Sequence, residues 1–246
     1  MDKMELIIEF YKHLQMLGPS GIKESKRALD YLNLNEKSMN IVDIGCGTGS
    51  QTLFLANELN VEIIAIDFLQ PFLDELNKKA ENSGLKVKTI CTPMDNLPFS
   101  EQSFDIIWSE GAIYNIGFNN GIKYWKKFIK PNGYLAVSEA IWLKNNRPNE
   151  IEKYWKNEYS EMDTIDNNIK YLINSGYKII GHFTLPNYCW ENYYNEIKNN
   201  IKPFLERYRN REDAKEFIEE IYVEIKMYEK YKEYYGYEFY IVQNKI

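Results

Sequence analysis

Three glycines and two acidic residues are spaced as a nucleoside-binding site requires. Gly45, Gly47 and Gly49 follow a short apolar run, and Asp67 ends the next apolar run, 18 residues after Gly49. Because glycine has no Cβ, the chain can turn tightly there and its backbone can approach a ligand closely. A carboxylate at the end of the second strand can accept hydrogen bonds from both hydroxyl groups of a ribose. Asp43, just before the turn, adds a carboxylate near where the ammonium group of an amino acid could sit.

The length of the glycine turn separates two kinds of nucleoside ligand. A dinucleotide fingerprint that begins at Gly45 requires glycine or alanine at position 50, but Ser50 is found there. The shorter G-x-G-x-G form disfavours NAD, so a nicotinamide-dependent oxidoreductase is the weaker alternative. A second alternative for Asp67 stays open, since a charged residue can simply mark the point where a strand ends.

Strand and helix patterns alternate around this turn. Apolar strand patterns end near Ile44, Asp67, Cys91, Ser109 and Glu139, and helical patterns separate most of them. Such alternation predicts a parallel, doubly wound sheet whose ligand lies at the carboxyl ends of the strands. The flanking predictions are helices over 5–17 and 22–32, a polar lead-in over 33–38, helices over 149–159, 166–174, 190–207 and 213–234, and strands over 178–185 and 238–243. Proline is expected to bend or break the 190–207 helix at position 203.

Composition and charge exclude several classes of protein. A chain of 246 residues that is 44% hydrophobic can bury a sizeable core. The net charge of −6 opposes binding to nucleic acid, which requires a basic surface. No apolar run approaches the roughly 20 residues of a membrane span. Three cysteines and a start without a secretory pattern indicate a cytoplasmic protein with free thiols.

A metal site is not expected. The two histidines, His13 and His182, have no cysteine or carboxylate around them at the spacing of zinc ligands.

Four segments together resemble a known enzyme family. The sequence VDIGCGTG at 42–49 resembles motif I of the class I S-adenosylmethionine-dependent methyltransferases. Later segments are similar to further motifs of that family, in the right order: MDNLPF at 94–99, FDIIWS at 104–109 and FIKPNGYL at 128–135. The resemblance covers about residues 40 to 140. The regions on either side are similar to small-molecule members, particularly those that resemble quinone-biosynthesis methyltransferases.

This resemblance implies S-adenosylmethionine as cofactor and S-adenosylhomocysteine as product. In the family, the residues matching Asp67 and Phe68 contact the ribose and flank the adenine, and the residue matching Asp95 receives the adenine amino group. The N-terminal segment closes over the cofactor in relatives, which makes Tyr11 a candidate, although Tyr11 also suits the packing of an amphipathic helix. The candidate cofactor-binding residues are Tyr11, Asp43, Gly45, Cys46, Gly47, Gly49, Gln51, Asp67, Phe68, Met94, Asp95, Asn96 and Ser109.

The predicted fold is a Rossmann-like α/β fold. It has a doubly wound, mostly parallel sheet of seven strands with an antiparallel last strand, N-terminal helices and a C-terminal helical insertion as a lid. The whole chain is expected to form a single methyltransferase domain, with a helical cap at 1–39, a cofactor-binding core at 40–140, and substrate-side helices and the last two strands at 141–246.

The acceptor is expected at the ends of strands four and five. Methyl transfer from a sulfonium is an in-line displacement, so the protein mainly has to align the acceptor and exclude water. Glu110, Tyr114 and Asn115 follow strand four, and 139–142 follow strand five. If the acceptor is a hydroxyl or an amine, Glu110 or His182 could take its proton. The candidate catalytic residues are therefore Glu110, Tyr114 and His182, of which His182 also suits a structural role.

Aromatic residues near the C-terminus suggest the kind of acceptor. The cluster at 188–194 is placed to contact a substrate, and an aromatic wall suits cationic or flat apolar molecules. The other tyrosines are interpreted as helix packing. SEGA at 109–112 stands where nucleobase amino-methyltransferases carry a D/N/S-P-P-Y/F loop, and no cysteine follows a proline. The expected partner is thus a small-molecule acceptor rather than nucleic acid, with a homodimer left open and a non-catalytic S-adenosylmethionine sensor or scaffold as the alternative.

Overall fold

Eight strands form one sheet within the residues that the computed structural model describes, which are 2–34 and 39–245. The strand order is β3-β2-β1-β4-β5-β8-β7, and the short β6 pairs with β5. All pairs among strands β1 to β6 are parallel, whereas β8 is antiparallel to both β5 and β7. The strands are β1 Ile41–Ile44, β2 Ile63–Asp67, β3 Val87–Cys91, β4 Phe104–Glu110, β5 Ile129–Trp142, β6 Asp163–Thr164, β7 Tyr177–Thr184 and β8 Tyr235–Asn244.

Helices cover both faces of the sheet. They are α1 Lys3–Tyr11, α2 Ile22–Asp30, α3 Ser50–Leu59, α4 Gln70–Ser83, α5 Phe118–Lys126, α6 Asn149–Glu158, α7 Ile165–Asn174, α8 Asn187–Arg207 and α9 Glu212–Tyr231, with a short 3-10 helix at Ile113–Ile116. Alternate residues of a strand point to opposite faces, so Ile41 packs with the layer of α1, α8 and α9. Its neighbour Val42 packs on the other side, with α5 and α7. This burial on two faces explains why the strands read as continuous apolar runs.

The predicted fold class is confirmed, and the main errors lie at the ends of elements. The first helix ends at Tyr11 rather than at Leu17, because the following residues leave the helix to cover the glycine turn. Strand β5 extends to Trp142, beyond the predicted end near Glu139, since it pairs with β8 along nine positions. The short strand β6 was not predicted, and residues 35–38 of the predicted lead-in lie outside the described residues.

A bend or a break was predicted at Pro203, and the break is not found. Helix α8 runs without interruption from Asn187 to Arg207. Ile201 and Phe204, on either side of the proline, are both buried in the core. Packing of these side chains therefore holds the helix together although the proline cannot donate a hydrogen bond.

Candidate active site

The glycine turn connects β1 to α3 at the carboxyl edge of the sheet. The N–H groups of Gly45 and Cys46 both donate to the carbonyl oxygen of Ile66, at 2.8 and 2.9 Å, which fixes the turn against β2. Gly49 has a φ of +88°, and a Cβ at this position would lie 2.1 Å from Cδ1 of Leu76. Glycine is required there both for the backbone conformation and for the packing of α4.

Asp67 joins the end of β2 to the glycine turn. Its Oδ2 accepts the N–H of Gly47 at 2.9 Å, and its Oδ1 accepts the N–H of Leu69 at 2.9 Å. Each carboxylate oxygen can accept a second hydrogen bond, so both remain able to bind a pair of hydroxyl groups. Burial raises the pKa of Asp67, while its backbone donors oppose that shift.

The segment that follows α1 covers the turn. The Thr48 hydroxyl donates to the carbonyl oxygen of Leu14 at 2.9 Å, and the Gln51 amide donates to the Ser20 hydroxyl at 2.7 Å. The Ser50 hydroxyl donates to the carbonyl oxygen of Gln15. The N-terminal residues are therefore held over the glycine turn by side chains of the turn itself and of the first turn of α3.

A cavity of about 670 Å³ begins at this turn and extends beneath the C-terminal helices. Its first part, the cofactor half, is lined by the glycine turn, the ends of β2 and β3, and the N-terminal segment; this half comprises Gln15, Leu17, Gly18, Pro19, Ser20, Gly45–Gln51, Ile66–Leu69, Phe72 and Thr92–Asp95. Its second part, the acceptor chamber, is lined mainly by aromatic and acidic side chains: Tyr11, Glu110, Tyr114, Tyr154, Trp155, Glu158, Tyr159, Trp190, Tyr193, Glu224 and Tyr237.

Most of the residues predicted from the sequence line this cavity. Among the cofactor candidates, those that do so are Tyr11, Gly45, Cys46, Gly47, Gly49, Gln51, Asp67, Phe68, Met94 and Asp95. Tyr11 lies in the acceptor chamber, and Phe68 is 59% exposed at the cofactor half. Glu110 and Tyr114, two of the three catalytic candidates, line the acceptor chamber.

Three predicted cofactor residues do not line the cavity. Asp43 is only 2% exposed, and its Oδ2 accepts the Thr52 hydroxyl at 2.6 Å, which ties β1 to α3. Burial raises the pKa of Asp43 to about 7. The Ser109 hydroxyl donates to the carbonyl oxygen of Ile44 at 2.8 Å and so links β4 to β1. Asn96 takes part in a turn, where its N–H donates to the carbonyl oxygen of Pro93.

The structure places His182, the third catalytic candidate, outside the cavity. This residue lies on β7 near one edge of the sheet, and its side chain is 39% exposed outside the cavity. Its Nδ1 is 2.6 Å from Oε1 of Glu238 on β8. Since β7 lies two strands beyond β5 in the sheet, His182 is not placed to act as a base in the acceptor chamber.

Glu110 ends β4 and lines the acceptor chamber. Its Oε1 accepts the Ser25 hydroxyl at 2.6 Å and the Trp108 indole N–H at 2.9 Å. Its Oε2 is buried and has no hydrogen-bond partner among the described residues. Burial raises the pKa of Glu110 to about 8, and the two donors oppose that shift.

Several residues of the acceptor chamber were missed in the sequence. Tyr154, Trp155, Glu158 and Tyr159 come from α6 and the residue after it, Glu224 from α9, and Tyr237 from β8. The only feature of the sequence that could have indicated them is the high aromatic content. That feature does not distinguish residues that line a cavity from residues that fill the core. Trp190 and Tyr193, from the cluster expected to contact a substrate, do line the chamber, whereas Tyr194 is packed in the core and Tyr188 donates to Glu24 instead.

Glu224, on α9, also lines the acceptor chamber. Its Oε1 accepts the Tyr194 hydroxyl at 3.0 Å, and burial raises the pKa of Glu224. Glu139, which was expected to face the substrate, is instead buried beside Tyr159, and burial raises the pKa of Glu139 well above its usual range. The neighbouring Ala140 lines the cavity.

Comparison with known proteins agrees with this geometry. Residues 41–133 match the family model described as a methyltransferase domain. A phosphoethanolamine N-methyltransferase of Plasmodium falciparum is 24% identical over 76% of this chain and 71% of its own length. An uncharacterised methyltransferase of Bacillus subtilis is 28% identical over 56% of this chain and 62% of its own length, so the match spans less than two thirds of that relative.

A solved structure shares the fold over nearly the full chain. An S-adenosylmethionine-dependent methyltransferase from Geobacter sulfurreducens, in complex with S-adenosylhomocysteine, superimposes with a TM-score of 0.86. The sequence identity is 17%, and the superposition covers 98% of each chain. At that identity the likeness shows the fold.

In the described part of the chain, 2–34 and 39–245, no helix is long and apolar enough to cross a membrane. Nor does this part bring together three His, Cys, Asp or Glu side chains that could hold a metal ion.

Proposed function

We infer, from its membership of the class I S-adenosylmethionine-dependent methyltransferases, that this enzyme transfers the methyl group to a small molecule bound in the acceptor chamber. The observation that carries this proposal is the single cavity that runs from the glycine turn to a chamber walled by α6, α8 and α9. Such a covered volume suits a small acceptor better than an extended polymer, which needs an open groove.

The cofactor half fits S-adenosylmethionine. Asp67 keeps lone pairs for the two ribose hydroxyl groups, and the exposed ring of Phe68 can flank the adenine. Backbone N–H groups at the start of α3 favour a carboxylate, which suits the methionine end. When bound, the cofactor supplies a methyl group on a sulfonium and leaves as S-adenosylhomocysteine. In this proposal Asp43 contributes through Thr52, by holding β1 and α3 together at the turn, rather than by direct contact.

The chain's own residues orient the acceptor and exclude water. The N-terminal segment and α8 cover the cavity, and the aromatic side chains of the chamber reduce the space in which an acceptor can rotate. Placing the two reactants together in this way is the main contribution expected of the protein in a displacement with a good leaving group.

Phosphoethanolamine, which appears in the name of the Plasmodium relative, fits this chamber poorly. A phosphate monoester requires Lys, Arg or a comparable donor beside it. No Lys, Arg or His occurs among the residues that line the described cavity, while Asp67, Asp95, Glu110, Glu158 and Glu224 all do. We therefore propose an acceptor that carries no phosphate group.

Product formation tests the proposed function. We expect the purified protein to release S-adenosylhomocysteine with at least one member of a panel of small amines, phenols and thiols, and native mass spectrometry should detect the cofactor in the protein as isolated. Release that requires RNA or protein as acceptor, with every small molecule inactive, would contradict the proposal.

A further inference from the structure

The acceptor chamber combines aromatic rings with carboxylates and has no cationic side chain among its described lining residues. Glu110, Glu158 and Glu224 supply the acidic groups, and eight aromatic residues form much of the wall. An anionic acceptor would meet like charge here, whereas a cationic one would meet opposite charge and the negative faces of aromatic rings. The composition of the chamber thus favours a positively charged acceptor.

Glu110 lines this chamber, and its buried Oε2 has no hydrogen-bond partner among the described residues. Oε1 already accepts from Ser25 and Trp108. A buried polar atom left unsatisfied is costly, and a native protein usually satisfies it with a ligand, a water or another side chain. An ammonium group would provide both the donor and the compensating charge.

We propose that the methyl acceptor is an amine whose nitrogen binds Oε2 of Glu110 inside the acceptor chamber. This assignment rests on the proposed function and adds the chemical class of the acceptor to it. It also gives Glu110 a direct contact with the substrate.

The aromatic residues of the chamber provide a second reason for this assignment. Tyr11 and Tyr193 lie close enough for their hydroxyl groups to interact, and both lie near Glu224. Trp190 stacks on Tyr228 with ring centroids 4.8 Å apart, so its ring is held in place at the chamber wall. Rigid rings around a charged nitrogen add cation–π attraction that increases when water is excluded.

Glu110 can also accept the proton that an ammonium group must lose. An ammonium has no free lone pair on nitrogen, so it must give a proton away before it can accept a methyl group. Transfer of that proton to Oε2 leaves the amine neutral and Glu110 protonated, with total charge conserved. A carboxyl group whose pKa lies at about 8 is well matched to this transfer near neutral pH.

The titratable groups that influence Glu110 are few. Glu24 on α2 and Asp43 on β1 both raise its pKa, and Cys189 on α8 lies nearby. Burial raises the pKa of Cys189 to about 12, so this thiol is neutral at physiological pH. At pH 7, free Glu110 is therefore expected to be mostly protonated, and the uptake of an ammonium should release close to one proton.

Calorimetry on protein saturated with S-adenosylhomocysteine tests the assignment without turnover. The probes are two matched pairs, 2-phenylethylamine with 2-phenylethanol and ethanolamine with phosphoethanolamine. We expect at least one of the two amines without phosphate to bind at least ten-fold more tightly than its partner. In buffers of different ionisation enthalpy, the heat of binding should report the release of close to one proton at pH 7.

Two variants identify the group responsible. Glu110→Gln keeps an oxygen that can accept from Ser25 and Trp108, but it should weaken amine binding at least ten-fold and abolish most of the proton release. Glu238→Gln is the matched control, because Glu238 is a buried carboxylate outside the cavity, and it should leave amine affinity unchanged.

The outcomes separate the two proposals. Failure of S-adenosylhomocysteine itself to bind would overturn the proposed function. If the cofactor product binds but neither amine does, or the alcohol or phosphate partner binds as tightly, only the amine assignment falls. Amine binding that Glu110→Gln leaves unchanged would likewise overturn it.

Discussion

The two halves of the cavity are built in different ways. In the cofactor half, backbone groups of the glycine turn and a carboxylate at the end of β2 lie at adjacent strand ends. In the acceptor chamber, side chains from α1, β4, α6, α8, α9 and β8 come together from positions more than 200 residues apart. The first half is thus a property of the fold, while the second is a property of this chain's particular side chains.

This difference predicts how substitutions will act. A change in the cofactor half should affect cofactor binding first, because the groups that hold the turn are also those that we propose to contact the ligand. A change in the acceptor chamber should affect turnover or acceptor binding and leave the cofactor in place. The following experiments test that division.

Asp67→Ala should have the largest effect. The variant loses the acceptor for two ribose hydroxyl groups, each expected to contribute about 1.5–3 kcal/mol as a hydrogen bond to a charged group. We therefore expect affinity for S-adenosylhomocysteine to fall at least about 100-fold, as measured by calorimetry. Asp67→Asn keeps one acceptor oxygen and should fall in between.

Circular dichroism provides the control for this variant. Asp67 also accepts the N–H groups of Gly47 and Leu69, so a modest fall in melting temperature is expected while the fold is kept. Unchanged affinity in a folded variant would remove Asp67 from the cofactor site.

Glu110→Ala should reduce turnover more than it reduces the affinity for the cofactor. The substitution removes the group proposed to bind the acceptor and receive its proton, and such groups typically contribute about 100-fold or more to rate. We expect kcat to fall on that order and the dissociation constant for S-adenosylhomocysteine to change by less than about three-fold, which is roughly 0.6 kcal/mol. Equal losses in both quantities would assign Glu110 to the cofactor half.

The buried carboxyl of Glu110 should make stability depend on pH. Its pKa is about 8 in the folded protein, against 4.5 for the free side chain, so the folded state keeps a proton that the unfolded chain releases. The stabilisation is complete below about pH 4.5 and is lost as the pH rises through about 8. Glu110→Gln cannot ionise and should escape this loss.

Thermal unfolding at several pH values measures this effect in the protein without ligands. The melting temperature of Glu110→Gln minus that of wild type should increase between pH 5 and pH 8.5, by at least roughly 3 °C. Burial also raises the pKa values of Asp43 and Glu139, but these groups are present in both proteins and cancel in the difference. A difference independent of pH would show that Glu110 is not held protonated.

His182→Ala should have the smallest effect on the reaction. His182 is partly exposed on β7, outside the cavity, where it pairs with Glu238. We expect kcat and KM to stay within about two-fold of wild type, because neither His182 nor Glu238 lines the cavity. A loss of kcat comparable to that of Glu110→Ala would mean that the acceptor lies on the other side of the sheet.

The cofactor half could be predicted from the sequence because its geometry depends on short segments at the ends of neighbouring strands. Gly45 to Gly49 and Asp67 lie at the ends of strands whose order follows from alternating patterns, so their proximity follows from a parallel sheet. The positions of the Asp43 and Ser109 side chains could not be predicted in the same way. Their side chains turn inward to Thr52 and to the carbonyl oxygen of Ile44, and the sequence does not say which way a polar residue in a strand points.

The acceptor chamber could be predicted only in part. Glu110 and Tyr114 were found because they follow β4, but Tyr154, Glu224 and Tyr237 come from elements whose packing over the sheet edge has no local signal. The distance of His182 from the cavity has no local signal either, since it depends on β7 lying at the edge of the sheet beside β8. Long-range packing, rather than local pattern, decides which tyrosines line a cavity and which fill the core.

The most direct test of the division between the two halves is a calorimetric titration of S-adenosylhomocysteine, followed by 2-phenylethylamine and ethanolamine, into wild type, Asp67→Ala and Glu110→Gln. The account predicts that Asp67→Ala loses the first binding event, while Glu110→Gln keeps it and loses the amine with its proton release. If Glu110→Gln loses S-adenosylhomocysteine, or if it binds the amines as wild type does, the account is contradicted.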